Sequence, residues 1–344
     1  MDLITHINCR TSWKKEGWVS ISAIVNFNIK EGLFLESVFQ YNQWHKLEKK
    51  DYPLLYQESS NCSIENQKKH FLFVRIQISL LIVIAIVTSF PLNGQINIRN
   101  GVVIILLILL ITELFVRIWM TQNKFDHYWF SSRAIAESVK SESWRFMMKV
   151  EPYDNNLSDS EAKKYFIKRL HEILHRQPSI ISKLTSALHN GQQISDNMIK
   201  IRKISLEERI EFYIENRIHD QNVWYALKAS WNQKRESFWL FISWIMPIAA
   251  IIIAIIILNF TNLNTSLIGI ITTAGAGAMT WMHSKRFREL SQSYSLTAQD
   301  LSLLETRANT DTSETNVAQL VFDVERTISR EHSMWLARRQ APHD

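Results

Sequence analysis

The chain is poor in residues that break helices, with eight glycines and six prolines among 344 residues. None of them falls within residues 102–151, 192–246 or 278–341. Uninterrupted stretches of this length are typical of long helices. They also exclude glycine-rich phosphate-binding loops from these parts of the chain. The sequence therefore predicts an all-α protein.

Cysteine is scarce too, since only Cys9 and Cys62 are present. They form no metal-binding or disulfide spacing, which predicts reduced, structural thiols. No short apolar segment with a cleavage site stands at the N-terminus, so we expect no signal peptide. The net charge of +6 is interleaved with acidic residues, and without a basic stripe no nucleic acid partner is expected. No cofactor is predicted.

Long apolar runs are what the chain does have, at residues 71–92, 102–120, 238–258 and 267–282. Charged residues make up 21% of the sequence but are nearly absent from these runs. Runs of this length can cross a hydrocarbon core about 30 Å thick as helices. The predicted fold is an all-α membrane protein with the lipid bilayer as its partner. It has four transmembrane helices in two hairpins and long cytoplasmic helical extensions.

Nearly the same four residues precede each hairpin: Asn-Gln-Lys-Lys at 66–69 and Asn-Gln-Lys-Arg at 232–235. This repeat indicates duplication of one two-helix unit. The predicted division is an N-terminal extension (1–45), a first unit (46–165), a helical linker (166–204) and a second unit (205–340). Lys and Arg flank the hairpins, whereas the two connecting loops carry only Arg99. Both termini are therefore expected in the cytoplasm.

Two segments outside the spans have their own periodicity. Residues 19–29 place apolar side chains at nearly every odd position, the period of a strand. A lone strand must pair with another copy, stay disordered or be an appendage, and the sequence does not choose. The C-terminal apolar positions have helical spacing and predict a core or oligomer contact; they are Val317, Leu320, Val321, Val324, Ile328 and Trp335.

Polar residues within the spans are candidates for lining a pore. Glu113 lies one turn before Arg117, so it is either a pore-lining carboxylate or one half of an interfacial ion pair. The fourth run is rich in Gly and Ala and also carries Thr272, Thr273 and Thr280. Small residues predict close helix packing, either within the four-helix unit or between subunits around a pore.

A second set of candidates follows the first hairpin. Arg133, Glu137, Lys140 and Trp144 recur every three or four residues and therefore share one helix face. That face is either a structural helix–helix seam or a route by which a signal reaches the pore. Trp224, ahead of the second hairpin, is a further seam or coupling candidate.

His171, Glu172 and His175 match the H-E-x-x-H pattern of zinc proteases, in which both imidazoles bind zinc from one helix face. Ile181 stands where one type of zinc protease has a third histidine, and basic residues surround the pattern. We interpret the match as fortuitous and predict neither a metal site nor an enzyme. A zinc-dependent peptidase is the least favoured alternative.

Three stretches resemble a known family. They are Asp51 to Tyr56 with Ser59; Tyr128-Trp129 with the R-x-x-A-E-x-x-K-x-x-x-W pattern of residues 133–144; and Arg217, Gln221 and Trp224-Tyr225. Together they resemble the SLATT superfamily, two-helix membrane domains associated with nucleotide-generating (SMODS) and nucleotide-sensing (SLOG) proteins. The two units are similar to sister subfamilies.

The resemblance implies a bacterial antiphage or conflict effector in the inner membrane. It would form pores when a partner protein or a nucleotide-derived signal triggers it. Four helices are too few to enclose a wide pore, so a homo-oligomer is expected. The alternative is a non-conducting membrane scaffold or sensor that docks a cytoplasmic partner. The family provides no catalytic residues to carry over.

Overall fold

The computed structural model describes residues 46–90, 96–154, 156–184, 191–259, 265–308 and 314–340. Regular structure in these residues is helical throughout, which confirms the all-α prediction. The helices are α1 (Leu54–Thr88), α2 (Ile96–Asn123), α3 (Phe125–Met148), α4 (Asp159–His175), α5 (Pro178–Leu184), α6 (Asp196–Lys203), α7 (Leu206–Tyr213), α8 (Asp220–Asn259), α9 (Ser266–Lys285), α10 (Phe287–Ala308) and α11 (Glu314–Gln340). The strand-like pattern at 19–29 lies outside the described residues.

Three helical stretches in the described part are long and apolar enough to cross a membrane: Leu54–Thr88, Arg99–Met148 and Leu206–Leu258. They contain the predicted spans 102–120 and 238–258 and most of the predicted span 71–92. The fourth predicted span is α9, a helix of 20 residues that is rich in Gly, Ala and Thr and is not among these three stretches. The chain is thus an all-α membrane protein, while the count of four spans stays a prediction.

The repeat before the hairpins has the same structural role in both copies. Asn66 on α1 and Asn232 on α8 are both buried. Each amide donates a hydrogen bond to the carbonyl four residues earlier, Asn66 to Cys62 at 2.8 Å and Asn232 to Lys228 at 2.7 Å. Each long helix then packs against its own partners: α1 against α2 and α3, and α8 against α9 and α10.

Each hairpin also ends in the same way. The helix leaving the membrane is not continuous, because a single basic residue interrupts it with a left-handed backbone, Lys124 at φ 44° and Arg286 at φ 52°. A left-handed non-glycine residue costs roughly 1–2 kcal/mol. The next residue, Phe125 or Phe287, is buried. We infer that packing of this phenylalanine offsets the cost and starts the exit helix, α3 or α10.

The two copies contact each other at two levels. Within the apolar region α9 packs against both α8 and α1, and its glycines permit close approach. A Cβ on Gly275 would lie 3.0 Å from the Met246 Cβ, and one on Gly277 would lie 2.8 Å from the Ile78 Cγ2. In the polar body (α3–α7, α10, α11 and the N-terminal halves of α1 and α8), α11 packs against both exit helices.

An aromatic cluster lies where the spans meet the polar body. Phe71 on α1 contacts Trp129 on α3 and Trp281 on α9, with ring centroids 5.3 and 5.9 Å apart. Trp239 on α8 lies 6.4 Å from Trp281. Tryptophan is enriched at membrane–water interfaces, and here it also joins helices from both copies.

We predict that Gly277→Ala destabilises the protein by about 1–3 kcal/mol, because the added methyl group overlaps Ile78 at the contact between α9 and α1. The control is Gly269→Ala on the same helix, where an added Cβ has no atom within 4 Å. Gly269→Ala should leave the free energy of unfolding unchanged or raise it by up to about 1 kcal/mol, because alanine favours the helix more than glycine does. Thermal unfolding in detergent measures both, and equal midpoints for the two variants would contradict the close approach.

Candidate functional site

A carboxylate lies in the middle of the apolar face of α11. Val321, Val324 and Ile328 on this face are buried, and Glu325 beside them is 0% exposed. An isolated charge at such a position would be very costly. Glu325 instead faces Arg217, whose Nε donates to Oε1 at 2.9 Å and whose Nη2 donates to Oε2 at 2.6 Å. This two-bond geometry is the strongest that a guanidinium and a carboxylate form.

Two hydroxyl groups complete the surroundings of Glu325. Tyr213 donates to Oε1 at 3.0 Å, and Ser141 donates to Oε2. Ser141 belongs to α3 of the first copy, whereas Tyr213 and Arg217 precede the second hairpin. The carboxylate therefore connects three parts of the chain that are distant in sequence. We call Ser141, Tyr213, Arg217 and Glu325 the buried polar cluster.

The cluster has the electrostatics of a desolvated ion pair. Burial alone lowers the pKa of Arg217, but the Glu325 carboxylate more than reverses this and holds the pKa above its ordinary value. Burial and the same carboxylate raise the pKa of the Tyr213 hydroxyl. The Arg217 Nη1 is buried without a hydrogen-bond partner among the described residues. The charges on Arg217 and Glu325 are therefore stable only while the two remain together.

The position of Arg217 in the chain links the cluster to the membrane. It lies in a π-helical segment, Ile214–His219, between α7 and α8. Such segments are rare and often occur at functional sites. The helix continues from this segment into the α8 span, and α3 likewise follows the α2 span through Lys124. The cluster is thus connected along the chain to the α8 span directly and to the α2 span through Lys124.

Two of the predicted seam residues lie at the cluster. Trp144 is fully buried, with its ring centroid 5.4 Å from that of Tyr213 and 5.9 Å from that of Phe212. Lys140 is half-buried, with its ammonium 5.7 Å from the Tyr52 ring centroid. Burial, and then the charge of Arg217, lower the pKa of Lys140 to about 8.

The other three seam candidates lie at different places. Arg133 and Glu137 are half-buried on the same helix, α3. Trp224 is half-buried within the second copy, where its ring lies 4.9 Å from Tyr225 and 5.5 Å from Tyr294 of α10. The structure thus joins α3 to the second copy through Trp144, while Trp224 joins α8 to its own exit helix.

A second arginine site holds the C-terminal end of α3. Arg202 is buried and donates from Nη1 to the Phe146 carbonyl at 2.7 Å and from Nη2 to the Tyr153 carbonyl at 3.1 Å. Arg209 donates from Nη1 to the Met148 carbonyl at 3.3 Å. Positive charge at a helix C-terminus is favourable because it opposes the helix dipole. The short helices α6 and α7 are therefore clamped to the first exit helix.

The pore-lining candidates have hydrogen-bond or ion-pair partners within the chain. Glu113 forms an ion pair with Arg117 one turn later, in which Oε1 lies 3.0 Å from the arginine Nη2. The Thr272 and Thr273 hydroxyls donate to backbone carbonyls of Ile268 and Gly269, and Thr280 donates to Ala276. Thr272 and Thr280 are exposed on α9 and Thr273 is half-buried. Their role in a pore stays a prediction.

The H-E-x-x-H residues do lie on one helix face. The His171 and His175 ring centroids are 4.0 Å apart on α4. Glu172 accepts a hydrogen bond from Arg169 at 2.7 Å. Within the described residues, no group of three or more His, Cys, Asp or Glu side chains is placed to hold a metal ion.

The buried ion pair of Arg217 and Glu325 was not among the predicted site residues. Arg217 belongs to a stretch that carries the family resemblance, and Glu325 interrupts the apolar face of the last helix. A lone acid between buried apolar positions is the signal that could have indicated a buried partner. Nothing in the sequence pairs it with Arg217, because 108 residues separate the two.

Each of the two copies matches a known family model. Residues 53–210 match the model described as SMODS and SLOG-associating 2TM effector domain 3, and residues 213–335 match SMODS and SLOG-associating 2TM effector domain 1. The resemblance drawn from the sequence, two tandem diverged copies, is confirmed. No curated protein and no solved structure matches the chain.

We predict that Glu325→Gln lowers the free energy of unfolding by about 3–5 kcal/mol, because it leaves Arg217 charged and unpaired in the interior. The matched control is Asp323→Asn on the same helix. Asp323 pairs with Arg307 at 3.0 Å, and both side chains are partly exposed, so its loss should cost less than about 1 kcal/mol. Denaturation in detergent measures both variants, and equal losses would refute the special role of the buried pair.

Lys140 gives a pH-dependent prediction. Its pKa in the folded protein, about 8, lies below the ordinary 10.5, so the folded state loses the proton first. Below pH 8 the charged ammonium destabilises the folded state, and this penalty disappears as the pH rises towards 10.5. Lys140→Met should therefore raise the unfolding midpoint at pH 7 and give a smaller gain at pH 10. The exposed Lys163→Met is the control, and a gain at Lys140 that does not change with pH would contradict the assignment.

Proposed function

The chain belongs to the SLATT superfamily as two tandem domains, and we propose that it is an oligomeric pore-forming effector of a bacterial conflict system. In this proposal it lies in the inner membrane with both termini in the cytoplasm, where the basic residues flanking the spans face anionic headgroups. A partner protein or a nucleotide-derived signal opens it. The bilayer is then permeabilised, without an enzymatic step.

A pore requires several copies of the chain. The proposed spans of one chain are α1, α2, α8 and α9, and four helices around one axis leave no wide channel. Thr272 and Thr280 lie on the exposed side of α9, opposite the glycines that pack within the unit. In the oligomer this side would face the pore, with Glu113 as a further polar group.

The observation that carries the regulated part of the proposal is the burial of Glu325 between the two copies. It bonds to Ser141 on α3 and to Arg217 on the helix that continues into α8. A signal can shift a conformational equilibrium only by making different contacts in two states. Withdrawal of α11 would break these bonds together and free the helices that lead into the spans. The closed state is the one in which the cluster is intact.

We expect induced expression under triggering conditions to collapse the membrane potential, because an open pore dissipates ion gradients. The purified protein in planar bilayers should show discrete conductance steps when the triggering partner or nucleotide is added, and stay closed without it. Thr272→Val and Thr280→Val keep the side-chain shape and remove the hydroxyl, so they should alter the conductance but not insertion. The control is Thr306→Val, at an exposed position of α10 outside the proposed spans, which should leave the conductance unchanged.

An intact membrane potential during growth arrest would overturn the proposal of a pore. Growth arrest without leakage, with a partner that copurifies stoichiometrically, would instead support the non-conducting scaffold. Reconstitution separates these outcomes because it measures conduction directly, with and without the triggering partner or nucleotide.

A further inference from the structure

Arg75 is the single charged residue in the first apolar run, residues 71–92. It lies four residues after Phe71, where the run begins, which is about 6 Å along the helix axis. A charged side chain within a span is costly, and such residues usually mark a binding site or an ion pathway. Arg75 is exposed on α1, and Leu72 one turn before it is 47% exposed. The guanidinium is therefore accessible where α1 meets lipid.

A second cation, Lys285, reaches the same place from α9. Its ammonium lies 3.2 Å from the centroid of the Phe71 ring and 4.9 Å from that of Trp281 on its own helix. Arg75 bends back towards Phe71 as well, because its Nε donates a hydrogen bond to the Phe71 carbonyl at 3.3 Å. The two side chains thus converge on Phe71, at the aromatic cluster where the spans meet the polar body. We call Arg75 and Lys285 the basic pair.

The basic pair lies at the contact between the two copies. Phe71, Arg75 and Ile78 share one face of α1, because they are four and three residues apart. Phe71 contacts Trp281, and Ile78 packs against Gly277, both on α9. Arg75 is exposed between these two contacts, so it lies at the edge of the surface that α1 and α9 share. Both copies therefore contribute to one site that is open on its outer side.

The basic pair has no negative partner in the described part of the chain. Neither Arg75 nor Lys285 forms an ion pair with a carboxylate of these residues. The two positive charges are instead close enough to repel each other. Contact with an aromatic ring favours an ammonium but does not neutralise it. Two cations held together at a membrane boundary in this way favour an anion that comes from outside the chain.

The fold does not require either cation. When the two copies are aligned on their buried asparagines, Phe241 of α8 takes the position of Arg75. When they are aligned on the left-handed residues after each hairpin, Asn123 of α2 takes the position of Lys285. Equivalent helices thus form with neutral residues at both positions. The basic pair occurs once in the chain, as a ligand site would.

We propose that Arg75 and Lys285 bind the phosphate of an anionic phospholipid at the contact between the two copies. A guanidinium presents several N–H donors to phosphate oxygens, and the ammonium adds a second positive charge. Basic sites between transmembrane helices bind anionic headgroups in this way. The proposal rests on the chain being a membrane protein and does not require that it conducts.

The surroundings of the basic pair favour a lipid over a soluble phosphate. Ile86 lies eleven residues, or about three turns, after Arg75 and therefore on the same face of α1. Its side chain is 40% exposed, so apolar surface continues from the cations along the span. The acyl chains of a lipid would cover this surface while its headgroup reaches the basic pair. A free phosphate ion gains nothing from it.

The first test uses the unaltered, full-length protein in a neutral detergent, with native mass spectrometry to count bound lipid. We expect one phosphatidylglycerol per chain to bind at least about tenfold more tightly than phosphatidylcholine with the same acyl chains, because choline cancels the phosphate charge. An excess of inorganic phosphate should not displace it. Equal binding of the two lipids would overturn the proposal, and so would displacement by inorganic phosphate.

A double variant, Arg75→Gln with Lys285→Met, removes both charges and keeps side chains of similar length. It should raise the dissociation constant for phosphatidylglycerol at least about tenfold and leave that for phosphatidylcholine unchanged. The matched control is Arg235→Gln with Lys234→Met, which also removes one arginine and one lysine, both exposed, just before the third apolar run. Equal losses of affinity in the two double variants would show diffuse attraction only and overturn the site.

A third measurement needs no variant and therefore stays decisive if the double variant does not fold. Phosphatidylglycerol should raise the unfolding midpoint of the unaltered protein more than phosphatidylcholine does, because a ligand that binds the folded state stabilises it. Equal shifts would contradict the site. Selective lipid binding by a protein that does not conduct would support the site and not the pore, whereas conduction without lipid selectivity would support the pore and overturn the site.

Discussion

The rest of the polar body depends on one requirement: Glu325, which no water reaches, must stay bonded to Arg217. Breaking such a buried pair costs about 3–5 kcal/mol, a large share of the roughly 5–15 kcal/mol that usually separates folded from unfolded states. Ser141 and Tyr213 take up the remaining bonding capacity. The helices that carry these four residues are thereby fixed relative to one another, and they come from both halves of the chain.

Duplication gave two units of one design, and the buried polar cluster shows how they diverged. Both copies keep the buried asparagine before the hairpin and the left-handed basic residue after it. The first copy supplies Ser141 from its exit helix, whereas the second supplies Tyr213 and Arg217 from the segment before its long helix and Glu325 from α11. The two copies thus contribute to the cluster from different parts of the common design.

The sequence revealed features that the membrane imposes on composition, and missed those that depend on tertiary contact. Apolar runs, helix length and the Asn-Gln-Lys repeat are local, so they predicted the fold class and the duplication. The breaks at Lys124 and Arg286 escaped because neither is a glycine or proline, and burial of the next phenylalanine makes them possible. The ion pair escaped because its partners are 108 residues apart. His171 and His175 are a different case: their spacing is a local pattern typical of a zinc site, but within the described residues no group of three metal-binding side chains is placed to hold a metal ion.

The polar groups within the spans bear on how a pore could form. Glu113 is paired with Arg117, and the threonine hydroxyls bond to carbonyls of their own helix. These bonds satisfy each group without a partner helix and so lower the cost of placing it in lipid. Thr272 and Thr280 would meet water only if several chains brought α9 together. In the proposed pore, conduction would therefore depend on assembly and on the buried polar cluster, which lies outside the bilayer, more than on any single residue inside it.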